Sequence, residues 1–271
     1  MASDQRPIGI FDSGIGGLTV ASAITERMPD EALIYFGDTI HMPYGEKSEE
    51  NIRRYSLQIA EFLLAQGAKA LVIACNSASA VAADAVAELA GENIPVINVI
   101  DPLVEDLVGR PFRNHIGVIG TKATIRSQVY PKRIHRKVPD AQVHTLATPL
   151  LAPIVEEGFA GSAISAAALK TYLSQPELKD IHCLLLACTH YPLLHQEVEA
   201  YYQGKVEVLD SARIAAVAVE NTLARHQLLR TQREPHPHHF YVSEYTEAFE
   251  MNAQRFFGHH IQLEEVKLNT Y

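Results

Sequence analysis

The chain has 271 residues, 47% of them hydrophobic, so it is long enough to bury one large core or two modest ones. Its 23 basic and 32 acidic residues give a net charge of −9, which argues against nucleic acid as the primary partner. No apolar stretch approaches the ~20 residues that span a bilayer, the N-terminus lacks a signal-peptide pattern, and three cysteines do not make a disulfide framework. These features predict a cytoplasmic protein with no membrane partner.

In chain order, short apolar runs alternate with segments of helical periodicity, which predicts a doubly wound α/β fold. The segment after Ser48 is an example, because Ser48 can cap a helix whose apolar residues follow helical spacing up to Gly67. Later helices are expected at 211–225 and 245–257. The predicted strands span 8–11, 32–36, 70–74, 96–99, 116–119, 143–146, 183–187, 206–209 and 239–243.

Two segments of the chain resemble each other: LVIACNS at 71–77 and LLLACTH at 184–190. Each is an apolar run that ends in a cysteine and small polar residues, as expected for a buried parallel strand that delivers a thiol to its carboxyl end. The segments that begin at Ile8 and Ile116 share an apolar-to-hydroxyl pattern at nearly the same separation. The chain therefore has the pattern of an internal repeat.

The repeat predicts two related domains. The first set of elements ends near 98–102, and a new helix opens near Ser211 after the second set is complete. We expect 1–97 together with 211–271 to form one domain, which carries Cys75, and 98–210 to form the other, which carries Cys188.

The two repeated cysteines, Cys75 and Cys188, are candidate catalytic groups. A thiol at a helix N-terminus has a lowered pKa, so either residue could act as a base or a nucleophile. Removing a proton from one face of a carbon and returning one to the other face needs two such groups, so a matched pair favours stereoinversion. Cys183 should point to the opposite face of its strand from Cys188, and we expect it in the core.

Two other classes of function stay open at this point. A hydrolase could use Cys188 with His190, although residues two apart seldom form such a dyad and Cys75 would be left unexplained. A non-catalytic amino-acid-binding protein would need a pocket but no reactive thiols.

Two motifs that often mark cofactor sites are weak here. The glycines within 14–17 lack the third spaced glycine of a dinucleotide fingerprint and the Lys-Ser/Thr pair of a P-loop. His236, His238 and His239 flank a proline and are expected in a solvated loop rather than in a metal site. We therefore predict no metal and no cofactor.

Hydroxyl, amide and carboxylate groups cluster at the predicted strand ends, with almost no Lys or Arg among them. A pocket of this kind binds anions through backbone N–H groups and hydroxyl donors. The cluster contains Asp12, Ser13, Asp38, Thr39, 43–45, 75–77, Thr121, Thr124, Thr189 and His190.

These segments together resemble the glutamate racemases of the cofactor-independent aspartate/glutamate racemase family. The resemblance implies two pseudo-symmetric α/β domains with mostly parallel sheets and an active site in the cleft between them. It also implies interconversion of L- and D-glutamate without a cofactor, which supplies D-glutamate for peptidoglycan. The matching motifs lie at 12–20, 37–39, 43–45, 74–80, 117–124 and 188–192, in the family's order and spacing.

The resemblance makes Cys75 and Cys188 the acid/base residues, each acting on one enantiomer. Asp12, near Cys75, would accept the thiol proton or pair with the substrate ammonium, and a protonated His190 would favour a thiolate on Cys188. Substrate contacts are expected at Asp12, Ser13, Tyr44, Gly45, Asn76, Ser77, Thr121, Thr189 and His190.

One further catalytic carboxylate is implied by the resemblance. It falls on Glu156, with Glu157 as the alternative register. The expected partner is L- or D-glutamate, with aspartate or another acidic amino acid as the alternative substrate, and a homodimer is left open.

The chain departs from the family pattern in three places. Ser77 stands where threonine is usual, and Ala187 stands where glycine is usual before the second cysteine. Residues 40–42 replace the commoner small and basic residues, which leaves the shape of the pocket open.

Overall fold

The computed structural model describes residues 4–110, 114–231 and 237–268, and these residues fold around two parallel β-sheets. The strands are β1 (Ile8–Asp12), β2 (Leu33–Gly37), β3 (Ala70–Ile73), β4 (Val96–Asn98), β5 (His115–Gly120), β6 (Gln142–Ala147), β7 (Cys183–Ala187), β8 (Glu207–Asp210), β9 (His239–Val242) and β10 (Leu263–Glu265). The helices are α1 (Leu18–Arg27), α2 (Glu49–Ala65), α3 (Asn76–Ala90), α4 (Ile100–Gly109), α5 (Lys122–Ser127), α6 (Val129–Lys137), α7 (Leu151–Glu156), α8 (Ala163–Leu173), α9 (His195–Tyr202), α10 (Ser211–Arg225) and α11 (Glu247–Phe257). Short 3-10 helices span Tyr44–Glu46, Pro176–Leu178 and Tyr191–Leu194.

The two sheets repeat one strand order. The first sheet runs β10-β9-β2-β1-β3-β4, and the second runs β6-β5-β7-β8, with every pairing parallel. The order 2-1-3-4 of the first four strands thus recurs in the next four, which is the arrangement that the internal repeat predicts. The predicted α/β class with parallel sheets is confirmed, while the division into two domains and its boundaries stay a prediction.

Local sequence signals account for several helices. The hydroxyl of Ser48 accepts a hydrogen bond of 3.3 Å from the backbone N–H of Asn51 and so caps α2, as predicted. Ile52, Ile59 and Leu63 are buried on one side of this helix, against the first sheet. At the other end of the chain, Asp210 caps α10 in the same way, through the N–H of Ala212.

The faces of β7 separate the two cysteines near it. Cys183 is 2% exposed and packs with Leu185, as expected for a core residue. Leu184 and Leu186 pack on the opposite face, in the cluster that includes Cys188. The alternation of side chains along a strand therefore sorts one thiol into the core and the other toward the strand end.

The strand β10, at the edge of the first sheet, was not predicted from the sequence. β10 is only three residues long, and two of them, Glu264 and Glu265, are exposed. A short edge strand of this kind has no apolar run, so no pattern predicts it. Strand ends elsewhere differ from the predicted ranges by one residue, and α11 starts at Glu247 rather than at 245.

The histidines near the end of the chain do not gather around a metal position. His238 accepts a hydrogen bond of 3.3 Å from the N–H of Leu33, His239 stacks on Tyr241, and His236 lies outside the described residues. Among the residues that the structure describes, no group of three or more His, Cys, Asp or Glu side chains could hold a metal ion. None of the described helices is both long enough and apolar enough to cross a membrane.

Candidate active site

The loops at the carboxyl ends of the two sheets meet face to face. A Cβ atom added at Gly16, after β1, would lie 2.5 Å from His190 Cε1 and 2.6 Å from Thr189 Oγ1, after β7. A Cβ atom at Gly45 would lie 2.8 Å from the Cβ of Thr121. Only glycine allows the backbone to approach these residues so closely. The strand-end residues of both sheets are thereby brought to one cleft.

Cys75 lies in this cleft at the start of α3. Its sulfur accepts a hydrogen bond of 3.5 Å from the backbone N–H of Ala78 and another from the hydroxyl of Ser13, and the residue is 5% exposed. Burial raises the pKa of this thiol strongly, and the negative charge of Asp12 raises it further. The expected lowering of the pKa by the helix N-terminus is therefore wrong for Cys75, because desolvation and Asp12 outweigh the two hydrogen bonds.

Cys188 is supported by a second set of groups. Its sulfur lies 3.6 Å from Nδ1 of His190, and Nε2 of the same ring lies 2.8 Å from Oε1 of Glu156. Burial by itself would lower the pKa of His190, but the contacts with Cys188 and Glu156 raise it well above 6.5. The imidazole that contacts the Cys188 sulfur is therefore held in its cationic form.

The two sulfur atoms are close enough to affect each other. Negative charge on Cys188 adds to the causes that raise the pKa of Cys75. It also raises the pKa of Tyr130, although burial is the larger cause there, and the Tyr130 hydroxyl donates a 2.7 Å hydrogen bond to Oδ1 of Asn76, the residue after Cys75. Together with the close approach of Gly16 to Thr189 and His190, this interaction places Cys75 and Cys188 at the same cleft.

Two buried polar atoms in the cleft have no hydrogen-bond partner within the described residues. Oδ2 of Asp12 accepts a 2.7 Å hydrogen bond from the N–H of Gly17, but Oδ1 has no partner, and neither has Nδ2 of Asn76. An unpartnered carboxylate oxygen and an unpartnered amide donor are costly to bury unless a ligand satisfies them. Together they offer one acceptor and one donor to a zwitterion.

Three hydroxyl groups connect the two sheets. Oγ of Ser77 lies 2.9 Å from Oγ1 of Thr121 and 3.3 Å from Oγ1 of Thr124, and the two threonine hydroxyls are 3.1 Å apart. Thr121 also caps α5 through the N–H of Thr124. This hydroxyl cluster, formed by Ser77, Thr121 and Thr124, supplies donors without net charge.

The remaining predicted residues also border the cleft. Tyr44 and Thr189 are 1% and 3% exposed, and the carbonyl of Thr189 accepts a 3.1 Å hydrogen bond from the hydroxyl of Thr19. Of the two carboxylate registers, Glu156 contacts His190, whereas Glu157 is exposed one residue beyond the end of α7.

Comparison with known proteins agrees with this geometry. Residues 18–219, about three quarters of the chain, match the family model described as Asp/Glu/Hydantoin racemase. The chain belongs to this racemase family. The resemblance inferred from the motifs is thereby confirmed.

Individual members of the racemase family match nearly end to end. The glutamate racemase of Neisseria meningitidis serogroup A is 43% identical over 266 residues, which are 97% of each chain. The glutamate racemase of Geobacter metallireducens is 42% identical over 253 residues, or 93% of each chain. The crystal structure of the Francisella tularensis glutamate racemase, in complex with D-glutamate, is 39% identical and has a TM-score of 0.92, covering 99% of this chain and 100% of that one.

The contact between Cys188 and His190 bears on the hydrolase alternative for this racemase-family site. Cys188 and His190 do contact each other although they are two residues apart, because the backbone turns into a 3-10 helix directly after β7 and directs the ring back onto the sulfur. The contact alone would suit a hydrolase, but such an enzyme would have no use for Cys75 in the same cleft.

Sequence reasoning placed Asp38 at a strand end without giving it a role. In this racemase-family fold its carboxylate is 3% exposed and accepts hydrogen bonds from the hydroxyls of Tyr44, at 2.6 Å, and Ser243, at 3.0 Å. His41 Nδ1 lies 2.9 Å from both carboxylate oxygens. Asp38 therefore holds Tyr44 at the cleft. The signal in the sequence that could have indicated this role is an acidic residue just after a predicted buried strand.

Proposed function

We propose that this protein interconverts L-glutamate and D-glutamate by proton transfer at the α-carbon, with Cys75 and Cys188 as the two acid/base groups. The observation that carries the proposal is that these two thiols border one cleft. The end-to-end similarity to glutamate racemases supports glutamate as the substrate. Aspartate is the alternative that the assay below separates.

The proposed reaction needs one thiolate and one thiol. The thiolate takes the α-proton and becomes a thiol, while the C–H electron pair remains as a carbanion that is delocalised into the adjacent carboxylate. The opposite thiol then donates its proton to the other face of the carbon and becomes the thiolate. No group is oxidised or reduced, and the two sulfurs have exchanged their protonation states.

The surroundings of the two sulfurs favour one starting state. Burial and Asp12 oppose negative charge on Cys75, whereas the imidazolium of His190, paired with Glu156, lies against the Cys188 sulfur. Since the reaction needs one acid and one base, we assign the acid of this starting state to Cys75 and the base to Cys188. The enantiomer that presents its α-proton to Cys188 reacts from this state, and the other enantiomer requires the opposite one.

Substrate binding reduces this asymmetry. We assign the unpartnered Oδ1 of Asp12 to the substrate ammonium, since a carboxylate is the natural partner of a cation. An ammonium group there neutralises part of the charge that raises the pKa of Cys75. The amide of Asn76 and the hydroxyl cluster would donate hydrogen bonds to the substrate carboxylates, as would Ser13 and Thr189. Tyr44 and Gly45 would form the wall beside them.

The closed cleft protects the charged intermediate. Cys75 and Cys188 are each 5% exposed, so both sulfurs are shielded from bulk water. Fixed donors in a water-poor site stabilise a developing carbanion better than solvent does. Glutamate would enter when the loops at the carboxyl ends of the two sheets move apart.

The test is to follow racemisation and α-proton exchange in deuterated water. Wild-type protein should interconvert L- and D-glutamate and incorporate deuterium at the α-carbon, and it should act far more slowly on either enantiomer of aspartate. Cys75→Ser and Cys188→Ser should each lose interconversion. Cys183→Ala is the matched control, because that thiol lies in the core, and it should keep activity.

Two results would overturn the proposal. One is a near wild-type rate in either active-site serine variant, since the mechanism needs both thiols. The other is a higher rate with aspartate than with glutamate, which would make aspartate the substrate. A role in supplying D-glutamate for peptidoglycan and a cytoplasmic location belong to the same proposal.

A further inference from the structure

The helix α11 reaches the site from a part of the chain that carries no cysteine motif. It lies between β9 and β10 at the edge of the first sheet, beyond residue 219, where the family match ends. Three of its residues, Asn252, Arg255 and Phe256, have the i, i+3, i+4 spacing that places side chains on one face of a helix. Each of the three contacts the loops that support Cys188.

Asn252 holds the end of α7. Its Nδ2 donates a 3.0 Å hydrogen bond to the backbone carbonyl of Glu156. That carbonyl belongs to the last turn of a helix, where no intrahelical N–H is available to it. The guanidinium of Arg255 lies against Gly158, two residues further on. The backbone that carries the Glu156 carboxylate is therefore fixed by side chains of α11.

Phe256 contacts His190, the partner of Glu156 in the ion pair. Its ring is 4% exposed and lies edge-to-face with the imidazole of His190, with centroids 5.4 Å apart and an interplanar angle of 83°. The Phe256 ring excludes water from the imidazole and opposes rotation of the imidazole about its Cβ–Cγ bond. Such a rotation would take Nδ1 away from Cys188 and Nε2 away from Glu156.

We propose that Asn252 and Phe256 are positioning residues for the Cys188 base, and that α11 sets the geometry of the Glu156–His190 pair. The inference rests on the proposed function, since it concerns the base that the racemisation would use. Neither side chain is required to touch the substrate. Their effect passes through the carboxylate and the imidazole, so it should be confined to Cys188 and leave Cys75 unchanged.

The primary test is the alkylation of each thiol by iodoacetamide, measured by peptide mass spectrometry from pH 6 to 10 without substrate. In Asn252→Ala and Phe256→Leu we expect the rate for Cys188 relative to Cys75 to fall at least about threefold at neutral pH. Cys75 in the same molecules is the internal reference.

The matched control is Phe257→Leu. Phe257 is the next residue of α11, is equally buried, and packs on Phe240 and His259 instead of His190. It should lose similar core packing without changing the ratio of the two alkylation rates. Asn252→Ala is the milder of the two test variants, because Asn252 is only half-buried, and it covers the case in which Phe256→Leu folds poorly.

Racemisation kinetics provide the second measurement. In both test variants kcat should fall about tenfold, because misplacement of a catalytic group by up to 1 Å can cost up to about 10²-fold, while KM stays within about twofold. An unchanged alkylation ratio in both variants would overturn the proposal, and so would the same change in Phe257→Leu. The alkylation measurement uses no glutamate, so it decides this proposal even if the wild-type protein fails to racemise glutamate.

Discussion

His190 and Glu156 form an ion pair of 2.8 Å whose side chains are 8% and 22% exposed. The two residues are 34 positions apart and are brought together where the loop after β7 meets the end of α7. The pair stabilises the protonated imidazole that faces Cys188, so it connects the stability of the fold with the protonation state of the site.

The contribution of this pair to the free energy of unfolding should depend on pH. The pKa of His190 is raised above 6.5 in the folded protein, so folding favours the protonated ring. The contribution is complete below about pH 6.5, the pKa of an unfolded histidine, and it is lost as the pH rises through the higher pKa of His190 in the folded protein. We expect Glu156→Gln to cost about 1–2 kcal/mol near pH 6 and less near pH 9.5.

Urea unfolding of wild type and Glu156→Gln across this pH range measures the difference. Glu157→Gln is the control, because Glu157 is exposed beyond α7 and should show no such trend. A Glu156→Gln difference that stays constant from pH 6 to 9.5 would contradict the contribution of Glu156 to the raised pKa of His190.

Gly16→Ala should damage the site with little loss of fold stability. The added Cβ would lie 2.5 Å from His190 Cε1 and 2.6 Å from Thr189 Oγ1, closer than real side-chain atoms approach, so the second cysteine loop must move. A shift of this size should lower kcat/KM for glutamate at least about tenfold. Gly109→Ala is the control, since a Cβ atom there meets nothing within 4 Å. Equal activity of the two variants would show that the loops can separate without loss of function.

Much of the fold follows from local rules that can be applied to the sequence. Ser48 lies before a helical pattern and caps it, and the apolar run of β7 ends where Cys188 enters the cleft. The similarity of the two cysteine segments also agrees with the fold, because the strands before Cys75 and Cys188 take corresponding places in the two sheets. These features depend on neighbours in the chain and on burial patterns of fixed period.

The support for the two thiols could not be predicted in the same way. Asn252 lies 96 positions from Glu156, and no periodicity or motif links them. The effect of burial on Cys75 also exceeds that of its helix N-terminus, and burial depends on how both sheets close over the residue. Such properties arise from tertiary packing, which a local pattern does not encode.

Ser77 tests whether the hydroxyl cluster binds substrate. Ser77→Ala removes the group that lies 2.9 Å from Thr121 Oγ1, and the loss of one hydrogen-bonding group of about 1 kcal/mol should raise KM for glutamate roughly fivefold. Ser77→Thr keeps the hydroxyl and should retain KM within about twofold. Steady-state kinetics in both directions measure the effect. If Ser77→Ala leaves KM unchanged, the cluster only joins the two sheets.

Asp38 and Tyr44 should be energetically coupled. Two hydroxyl donors and one imidazole nitrogen converge on the two oxygens of the Asp38 carboxylate. Asp38→Asn replaces one oxygen with a donor, so one buried partner loses its acceptor, and we expect a cost of about 2 kcal/mol in the free energy of unfolding. Tyr44→Phe removes one donor and should cost about 1 kcal/mol.

A double-mutant cycle separates this coupling from two independent losses. Once Tyr44 lacks its hydroxyl, Asp38→Asn has one fewer buried partner to leave unsatisfied, so the double variant should be less destabilised than the sum of the single variants by at least about 0.5 kcal/mol. Asp84→Asn makes the same chemical change on the exposed side of α3 and should be additive with Tyr44→Phe. Additive behaviour of Asp38→Asn would mean that the 2.6 Å hydrogen bond contributes nothing to holding Tyr44, and the position of the phenol would then have to come from packing against Tyr55.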